Sequence, residues 1–325
     1  MRIEFISPKE WGEFLATTGA SSPFHRPEWL RIVEQHSGLR TALLLGIEGT
    51  STRIGLPLFF GRRGPIGVVL SPPPRHAIPF LGPVLARDGR GSDALQEFVG
   101  ALRRKWLRGY WRIVKIDTGP WVRDLRPFLR AGFVAIPRYT YELDLTLGLK
   151  ALVERADRRA RRAWRVAEQE HVVREATNDE VRWIFALTEQ RYRQQGKSGI
   201  AEPYSSDLLS GLPSGCLRGF VAEKEGERLT GAICVADETT VYLWRGTPKG
   251  GQDAKYSNEG LLFGILRWAV ERGYARFDMV GANTPGIAHF KAMFNPDLVP
   301  YASLQRAPAP VRALIRPRTR LEAER

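Results

Sequence analysis

The sequence repeats a junction at long range. Leu102-Arg103 followed by Arg108-Gly109-Tyr110-Trp111-Arg112 has the pattern L-R-x4-R-G-Y-x-R. Leu266-Arg267 followed by Arg272-Gly273-Tyr274-Ala275-Arg276 has the same pattern 164 residues later, close to half of the 325-residue chain. A chain that carries one helix-to-strand junction twice at this spacing is constrained to fold as two similar units. Each copy ends an apolar-periodic helix and leads into an expected strand, Ile113-Val114-Lys115-Ile116-Asp117 in the first and Phe277-Asp278-Met279-Val280-Gly281 in the second. The glycine of each copy, Gly109 and Gly273, suits the residue just past a helix end, because it takes a positive φ without a Cβ penalty.

The surroundings of the junctions repeat as well. Alternating apolar segments predict strands at Thr41 to Ile47, Thr52 to Phe60 and Ile66 to Leu70 in the first half. In the second half they predict strands at Arg218 to Glu223, Leu229 to Ala236 and Thr240 to Arg245. Polar turns at Glu48-Gly49-Thr50 and at Lys224 to Glu227 join the first two strands of each set as hairpins. Downstream, Phe128-Leu129-Arg130-Ala131-Gly132-Phe133 parallels Phe290-Lys291-Ala292-Met293-Phe294, and last strands follow at Tyr139 to Leu145 and Tyr301 to Gln305. The order in each half is helix, three-strand meander, helix, strand, short helix, strand. This predicts an α/β chain of mixed sheets flanked by helices, built twice. Residues 1–146 are expected to form the first domain and 147–304 the second, with 305–325 expected to return to the first.

Composition narrows the class. Hydrophobic residues are 43% and charged residues 26%, which excludes a disordered chain or a collagen-like repeat. Lys and Arg number 49 against 35 acids, a net charge of +14 that favours anionic partners such as nucleic acid, nucleotide phosphates or a membrane surface; an Arg-rich coding bias is the other explanation. Cys216 and Cys234 fit no metal spacing and make no disulfide framework, so both are expected as small core hydrophobes. No apolar run reaches about 18 residues, so no transmembrane helix is expected. The opening Met1-Arg2-Ile3-Glu4-Phe5 has no signal-peptide core before Glu10 and Glu13, and a cytoplasmic protein is expected.

The order of elements resembles the GNAT acyltransferase domain. Two such domains in a chain of this length resemble the FemABX-like family of aminoacyl-tRNA-dependent transferases and related FemAB-like acyltransferases. Several segments carry the resemblance. Pro23-Phe24-His25-Arg26-Pro27-Glu28-Trp29 looks like the family's early S-P-F-Q-x-x-x-W. Arg158-Arg159-Ala160-Arg161-Arg162-Ala163 looks like its basic R-R-x-x-R-K-A helix, and Thr188-Glu189-Gln190-Arg191 like its T-x-x-R. Tyr256-Ser257-Asn258-Glu259-Gly260-Leu261-Leu262 looks like its s-p-x-x-L-L helix start. Phe277-Asp278, Gly281 and then His289-Phe290-Lys291 look like its y-D-f-g-G…F-K-x-x-F. The chain departs from CoA-dependent GNAT domains in the loop that cradles pyrophosphate, Q/R-x-x-G-x-G/A. Lys249-Gly250-Gly251-Gln252-Asp253-Ala254-Lys255 and Ala86-Arg87-Asp88-Gly89-Arg90-Gly91 both lack that spacing. The helical arm of longer Fem proteins is also missing between Thr177 and Leu304.

The resemblance implies an N-aminoacyltransferase that moves an amino acid from aminoacyl-tRNA to an acceptor amine, on a peptidoglycan precursor or a small peptide metabolite. It implies no metal or redox cofactor. An acyl-CoA-dependent N-acyltransferase, with acetyl-CoA or another acyl-CoA as donor, and a non-catalytic nucleic-acid-binding module are the competing readings. Peripheral membrane contact is a further expectation. The implied catalytic residues are Lys291, as a cation for the developing oxyanion, and Phe290 in the donor pocket. Leu129 occupies the position of Lys291 in the first half, so the cation belongs to the second. Asp278, Glu142 and Asp144 are strand carboxylates that serve either as a base or as ion-pair partners, while the family implies proton transfer assisted by the donor ribose.

Arg191 and Tyr204 are implied acceptor-binding residues in a segment with Arg193 and Lys197, with Arg26 and Trp29 expected from the first domain. Tyr242, Trp244 and Arg245 end a strand toward the cleft. Tyr256 and Asn258 open the next helix, where Asn258 is alternatively an N-cap. Arg155, Arg158, Arg159 and Arg162 share one helical face by i, i+3, i+4, i+7 spacing, opposite Leu152, Ala156, Ala160, Ala163 and Ala167. That basic face either meets nucleic-acid phosphates or is a solvated surface. The tail from Arg306 to Arg325 is a further basic segment, read either as returning to the first domain or as a disordered arm. His25 and His289 lie near motifs but are read as structural.

Overall fold

The computed structural model describes residues 1–49, 51–87, 91–105, 112–196, 200, 202–247 and 255–308. The loop at 249–254, the Gly89-Arg90 turn, the first R-G-Y sequence, Lys197 and the tail beyond residue 308 lie outside the described residues. The chain divides into two compact units, Met1–Arg138 together with Pro300–Arg325, and Tyr139–Val299.

Unit 1 opens with β1 (Arg2–Ile6), α1 (Pro8–Thr17), β2 (Thr18–Ala20) and α2 (Pro27–Ser37). The meander follows as β3 (Arg40–Glu48), β4 (Ser51–Arg63) and β5 (Ile66–Ser71), then β6 (Val84–Ala86), α3 (Gly91–Lys105), β7 (Arg112–Asp117) and α4 (Arg126–Arg130). β8 (Val134–Asp144) carries the chain into unit 2. The strands of unit 1 pair in the order β1-β3-β4-β5-β7, with β5 and β7 parallel and the meander antiparallel. The alternation that marked these strands is realised as burial. Leu44, Leu56, Leu58, Val69, Val114 and Ile116 face one core with Leu95, Phe98 and Leu102 of α3.

Unit 2 contains α5 (Gly148–Arg155), α6 (Arg158–Glu170), β9 (Val172–Glu175), α7 (Asn178–Gln194), α8 (Tyr204–Gly211), β10 (Leu217–Lys224), β11 (Glu227–Ala236) and β12 (Thr240–Gly246). α9 (Ser257–Glu271), β13 (Arg276–Asp278) and α10 (Pro285–Ala292) follow, and β14 (Asp297–Arg306) closes the described chain. The sheet runs β8-β13-β12-β11-β10-β9, with β12 and β13 its parallel pair. Phe263, Phe277, Phe294 and Trp164 centre its core. Gly273 follows the end of α9 at φ +78°, as expected for the residue past a helix end.

The last strands differ from the order read in the sequence. Each was expected to close its own half. Instead Tyr139–Asp144 of β8 belongs to unit 2, where Glu142, Leu143 and Asp144 pair with β13. The end of β14 belongs to unit 1, where Ser303–Arg306 pair with β7. Periodicity identifies a strand but not the sheet edge it joins, and each half offers an equivalent edge.

The basic face also differs in detail. The chain breaks at Ala156 and Asp157, so Arg155 ends α5 while Arg158, Arg159 and Arg162 lie on α6. Asp157 is the reason: it is the N-cap of α6, its Oδ1 accepting the Ala160 N–H at 2.7 Å. The small-residue stripe is buried as expected, at Leu152, Ala156, Ala160, Ala163 and Ala167. Cys216 and Cys234 are both buried, and neither is in a disulfide.

Candidate active site

The parallel pair of unit 2 stays in register over only three residues, Thr240↔Arg276, Val241↔Phe277 and Tyr242↔Asp278. β12 then runs on to Gly246, while β13 stops. The strand expected at Phe277 to Gly281 therefore ends at Asp278, and β12 runs on without a parallel partner among the described residues.

Local chemistry explains the stop. Asp278 Oδ1 accepts the Val280 N–H at 2.7 Å, an Asx-type turn. Val280 and Gly281 then take φ of +50° and +79°. That conformation is costly for a β-branched residue and ordinary for glycine. The turned segment is tied to β8 instead of β12. Met279 donates to the Tyr141 carbonyl and Ala282 to the Tyr139 carbonyl, each at 2.8 Å. Asn283 brackets Tyr139, accepting its N–H at 2.9 Å and donating to its carbonyl at 3.0 Å.

Lys291 of α10 reaches this segment from below in sequence. Its side chain is buried, and Nζ donates to the carbonyls of Met279, Val280 and Gly281 at 2.5, 2.6 and 2.9 Å. An ammonium has three protons, so all three are committed to three successive carbonyls. Burial lowers the Lys291 pKa to about 8, with the charge of Asp278 acting in the opposite direction. Lys291 is thus a fixed cation that shapes the turn closing β13.

Asp278 is fully buried beside it. Thr140 Oγ1 donates to the same Oδ1 that caps the turn. Burial raises the Asp278 pKa to about 7, with Glu142 adding to the rise and Lys291 and the hydrogen bonds opposing it. A carboxylate with this value can exchange a proton near neutrality. Tyr242, directly across the last parallel pair, is buried and donates to Asp237 Oδ2 at 3.4 Å. Glu142 is half-buried and its pKa is raised by desolvation. Asp144 is different: it caps the turn at Thr146, whose N–H and hydroxyl bonds lower its pKa. That capping role sets it apart from the other two candidate bases.

The part of β12 beyond its pairing with β13 carries Arg245. Its Nη1 donates to Tyr192 Oη at 2.9 Å, and the guanidinium lies 5.3 Å from the ring centroids of both Tyr192 and Trp244. Trp244 packs edge-on against Phe185 of α7. Tyr204 is buried at the start of α8, and Arg191 is exposed in the last turn of α7. Phe290 is partly buried against the core and meets Phe294 edge-on at 5.7 Å. Tyr256 sits under Lys255 with φ +65° and is the N-cap of α9. Asn258 is not the cap; its Oδ1 accepts from Thr230 Oγ1 at 2.7 Å and so ties α9 to β11.

The first-unit candidates have other surroundings. Trp29 is completely buried and edge-on to Phe24 at 4.8 Å, a core position. Arg26 is half-buried at the head of α2. His25 is buried between Ser22 and the Leu81 carbonyl, and burial lowers its pKa to about 4, as a structural histidine requires. His289 is exposed. On α6, Arg158, Arg159, Arg162 and Arg165 are exposed and form no ion pair among the described residues. Three contributors lay outside the sequence reading: Thr140, Tyr192 and the carbonyl run Met279–Gly281. Gly281 after an aspartate at 278 was the available signal for the turn.

Unit 1 has the equivalent place, and it is filled. Its parallel pair holds for five residues, Gly67↔Arg112 to Ser71↔Ile116. Beyond it, the Leu81 N–H donates to the Asp117 carbonyl at 2.9 Å and the Gly82 N–H to Ser71 Oγ at 3.2 Å. The unit's own chain therefore bridges the two strand ends. Gly82 has φ +56°, and a Cβ there would stand 2.7 Å from Thr118 Cα. Phe80 packs edge-on against Phe24, Trp121 and Tyr301 around this plug.

A mixed sheet with one parallel strand pair, flanked by helices and built twice, is a tandem GNAT-like fold, and residues 154–292 match the acetyltransferase (GNAT) domain family. That match lies within unit 2 and gives those residues an acetyltransferase-type domain. The whole chain has a FemX-like fold. It superposes on a crystal structure of FemX with TM-score 0.72 at 14% identity, covering 97% of this chain and 100% of that one. It is also similar to the C-terminal domain of a putative lysylphosphatidylglycerol synthetase from Agrobacterium fabrum, with TM-score 0.59, 15% identity and coverage of 96% and 95%. L-PGS from Bacillus licheniformis gives TM-score 0.56 at 16% identity, with 97% of each chain covered. No curated protein matches the sequence. Among the described residues, no helix is long and apolar enough to cross a membrane.

Proposed function

We propose that unit 2 transfers an aminoacyl group from aminoacyl-tRNA to an acceptor amine, forming a peptide or amide bond. The observation that carries the choice of donor is the charge of α6. Arg158 and Arg159 occupy its first two positions, with Arg162 and Arg165 following, against a single carboxylate at that end, the N-cap Asp157. The positive end of the helix dipole disfavours this placement. A polyanion laid along that end would reverse the penalty and add counterion release.

The chemistry belongs to the cleft at Tyr242 and Asp278. The free amine of the acceptor attacks the ester carbonyl carbon of the donor. A C–N bond forms, the C–O bond to the ribose breaks, and the amine proton ends on the released ribose hydroxyl. Asp278 has the basicity to hold that proton in passage, and the fixed charge of Lys291 stabilises negative charge developing on the carbonyl oxygen. Phe290 borders the donor pocket, and Arg191, Tyr204 and Tyr256 contribute to acceptor binding. This reaction needs no metal or redox cofactor. The acceptor is an amine-bearing peptide or nucleotide-linked precursor.

Transfer from acyl-CoA is the second reading, favoured by the acetyltransferase domain match. Against it, Glu259 lies in the first turn of α9, which opposes a pyrophosphate at that helix end. Equilibrium binding to charged total tRNA across a salt series, with uncharged tRNA and acetyl-CoA in parallel, separates the two. A preference for charged tRNA beyond the salt-dependent phosphate contribution supports aminoacyl transfer. Saturable acetyl-CoA binding with only weak, salt-sensitive tRNA binding overturns it.

A further inference from the structure

We propose that Arg245 is the anchor of a carboxylate-binding subsite on the open arm of the unit 2 cleft, so that the amine acceptor carries a free carboxylate remote from its reacting nitrogen. The proposal rests on the acyl-transfer reading and deepens it.

Arg245 is half-buried, yet it forms no ion pair among the described residues. Its Nη1 has one partner, the Tyr192 hydroxyl, and its Nε is buried with no hydrogen-bond partner. A guanidinium removed from water is costly unless an anion or a set of acceptors meets it. The two rings at 5.3 Å hold the group without neutralising it. This is the state of a preorganised fork awaiting a planar, bidentate anion.

The neighbours select the anion. Glu189 on α7 contributes negative charge near the guanidinium, with Tyr192 and Tyr204 the other titratable groups acting on it. Glu189 is itself held by Arg193, whose Nε donates to Oε1 at 2.9 Å. A dianionic phosphate would meet that nearby carboxylate at greater cost than a monoanion, so a single carboxylate is the better fit. Position sets the reach. Arg245 lies three residues past Tyr242, the last residue of β12 paired with β13, which is about 10 Å along a strand. A carboxylate at Arg245 and an amine at the apex therefore belong to a dipeptide or a lysine-type side-chain amine rather than to a compact α-amino acid.

The test is calorimetric titration of the full chain, without any acyl donor, using matched probes: lysine and lysinamide, alanyl-alanine and alanyl-alaninamide. The carboxylate form of at least one pair is expected to bind about ten- to a hundredfold tighter than its amide. Arg245→Gln removes that preference, Arg245→Lys retains part of it, and Tyr192→Phe weakens it severalfold. Arg182→Gln, an equal loss of charge on the neighbouring α7, leaves it intact. Melting curves confirm that each variant is folded, and Arg245→Lys carries the test if Arg245→Gln is not. Equal binding of acid and amide, absence of binding by both pairs, or a preference that survives in Arg245→Gln overturns the proposal. Failure of transfer with every donor, while the Arg245-dependent preference persists, overturns the proposed reaction and leaves the subsite standing.

Discussion

The two units differ most where they are most alike. Each has one parallel strand pair at the same place in its sheet. In unit 1 the pair is zipped for five residues and then sealed by Leu81 and Gly82. In unit 2 it holds for three, and an Asx turn at Asp278 draws the second strand away. Aromatic rings around Phe80 pack the end of the unit 1 pair, whereas the buried polar side chains Asp278, Tyr242 and Lys291 lie at the end of the unit 2 pair. Duplication supplies the sheet twice, but chemistry needs only one opening. The closed copy adds buried apolar surface, and the open copy holds buried ionisable groups that cost stability.

This contrast can be broken from either side. Phe80→Ala, at a fully buried ring, is expected to cost about 3–5 kcal/mol of stability. Turnover per folded molecule should be unchanged. Urea unfolding together with steady-state rates checks both halves of that statement. A rate loss with little loss of stability would mean that the plug is part of the reacting site.

Lys291→Met attacks the opposite copy. It leaves three carbonyls without their donor and removes the fixed charge. We expect kcat to fall about 10²–10³-fold, from loss of the fixed charge near the developing oxyanion together with loss of the turn it holds. Binding of tRNA should be unchanged. Retained turnover would remove Lys291 from the chemistry, and a parallel loss of tRNA binding would favour a nucleic-acid-binding module.

Proton linkage separates the copies next. The Asp278 pKa is raised by burial to about 7, above its unfolded value near 4. The native state then holds a proton that the unfolded state gives up. Stability is therefore lost as pH rises from about 4 to 7 and changes no further from this group above 7. Asp278→Asn should flatten that dependence and be stabilised relative to wild type at pH 8 more than at pH 4. For Lys291, lowered to about 8, stability is gained as pH rises from about 8 towards its unfolded value near 10.5. The rate should rise through about pH 7, and Asp278→Asn should abolish that limb. His25 in unit 1, also buried but lowered to about 4, contributes nothing to the rate profile.

On α6, Arg158→Gln with Arg162→Gln should reduce the salt slope of tRNA binding by about two. kcat at saturating donor should be unaffected. An unchanged slope would make this face a solvated surface.

Much of this contrast was legible in the sequence. The repeated R-G-Y junction and the paired meanders gave both sheets, because alternation and turn composition are local properties. Lys291 against Leu129 already marked the second half as the polar one. Three features were hidden. The exchange of the last strands depends on which edge is free. The break at Asp157 depends on a cap competing with helix continuation. The turn after Asp278 depends on a side chain capturing the Val280 N–H, where the apolar Phe277–Val280 run reads as strand. Trp29, read with the ligand site, is core because its motif builds the start of α2.

Gly281 gives the smallest effect. At φ +79°, with no atom within 4 Å of an added Cβ, Gly281→Ala meets no steric obstacle. Only the left-handed backbone opposes it, at about 1–2 kcal/mol. If the turn yields to relieve that strain, the Gly281 carbonyl leaves Lys291 Nζ and one of its three hydrogen bonds is lost. The fall in rate expected as Lys291 loses its proton near pH 8 should then shift, while the melting temperature falls by only a few degrees. Gly82→Ala in unit 1, with Thr118 Cα at 2.7 Å, should cost more stability and leave the profile unmoved. Equal shifts from both variants would mean that the two clefts are not functionally distinct. A shift from Gly281→Ala alone would place the working difference between the copies in the turn that holds one of them open.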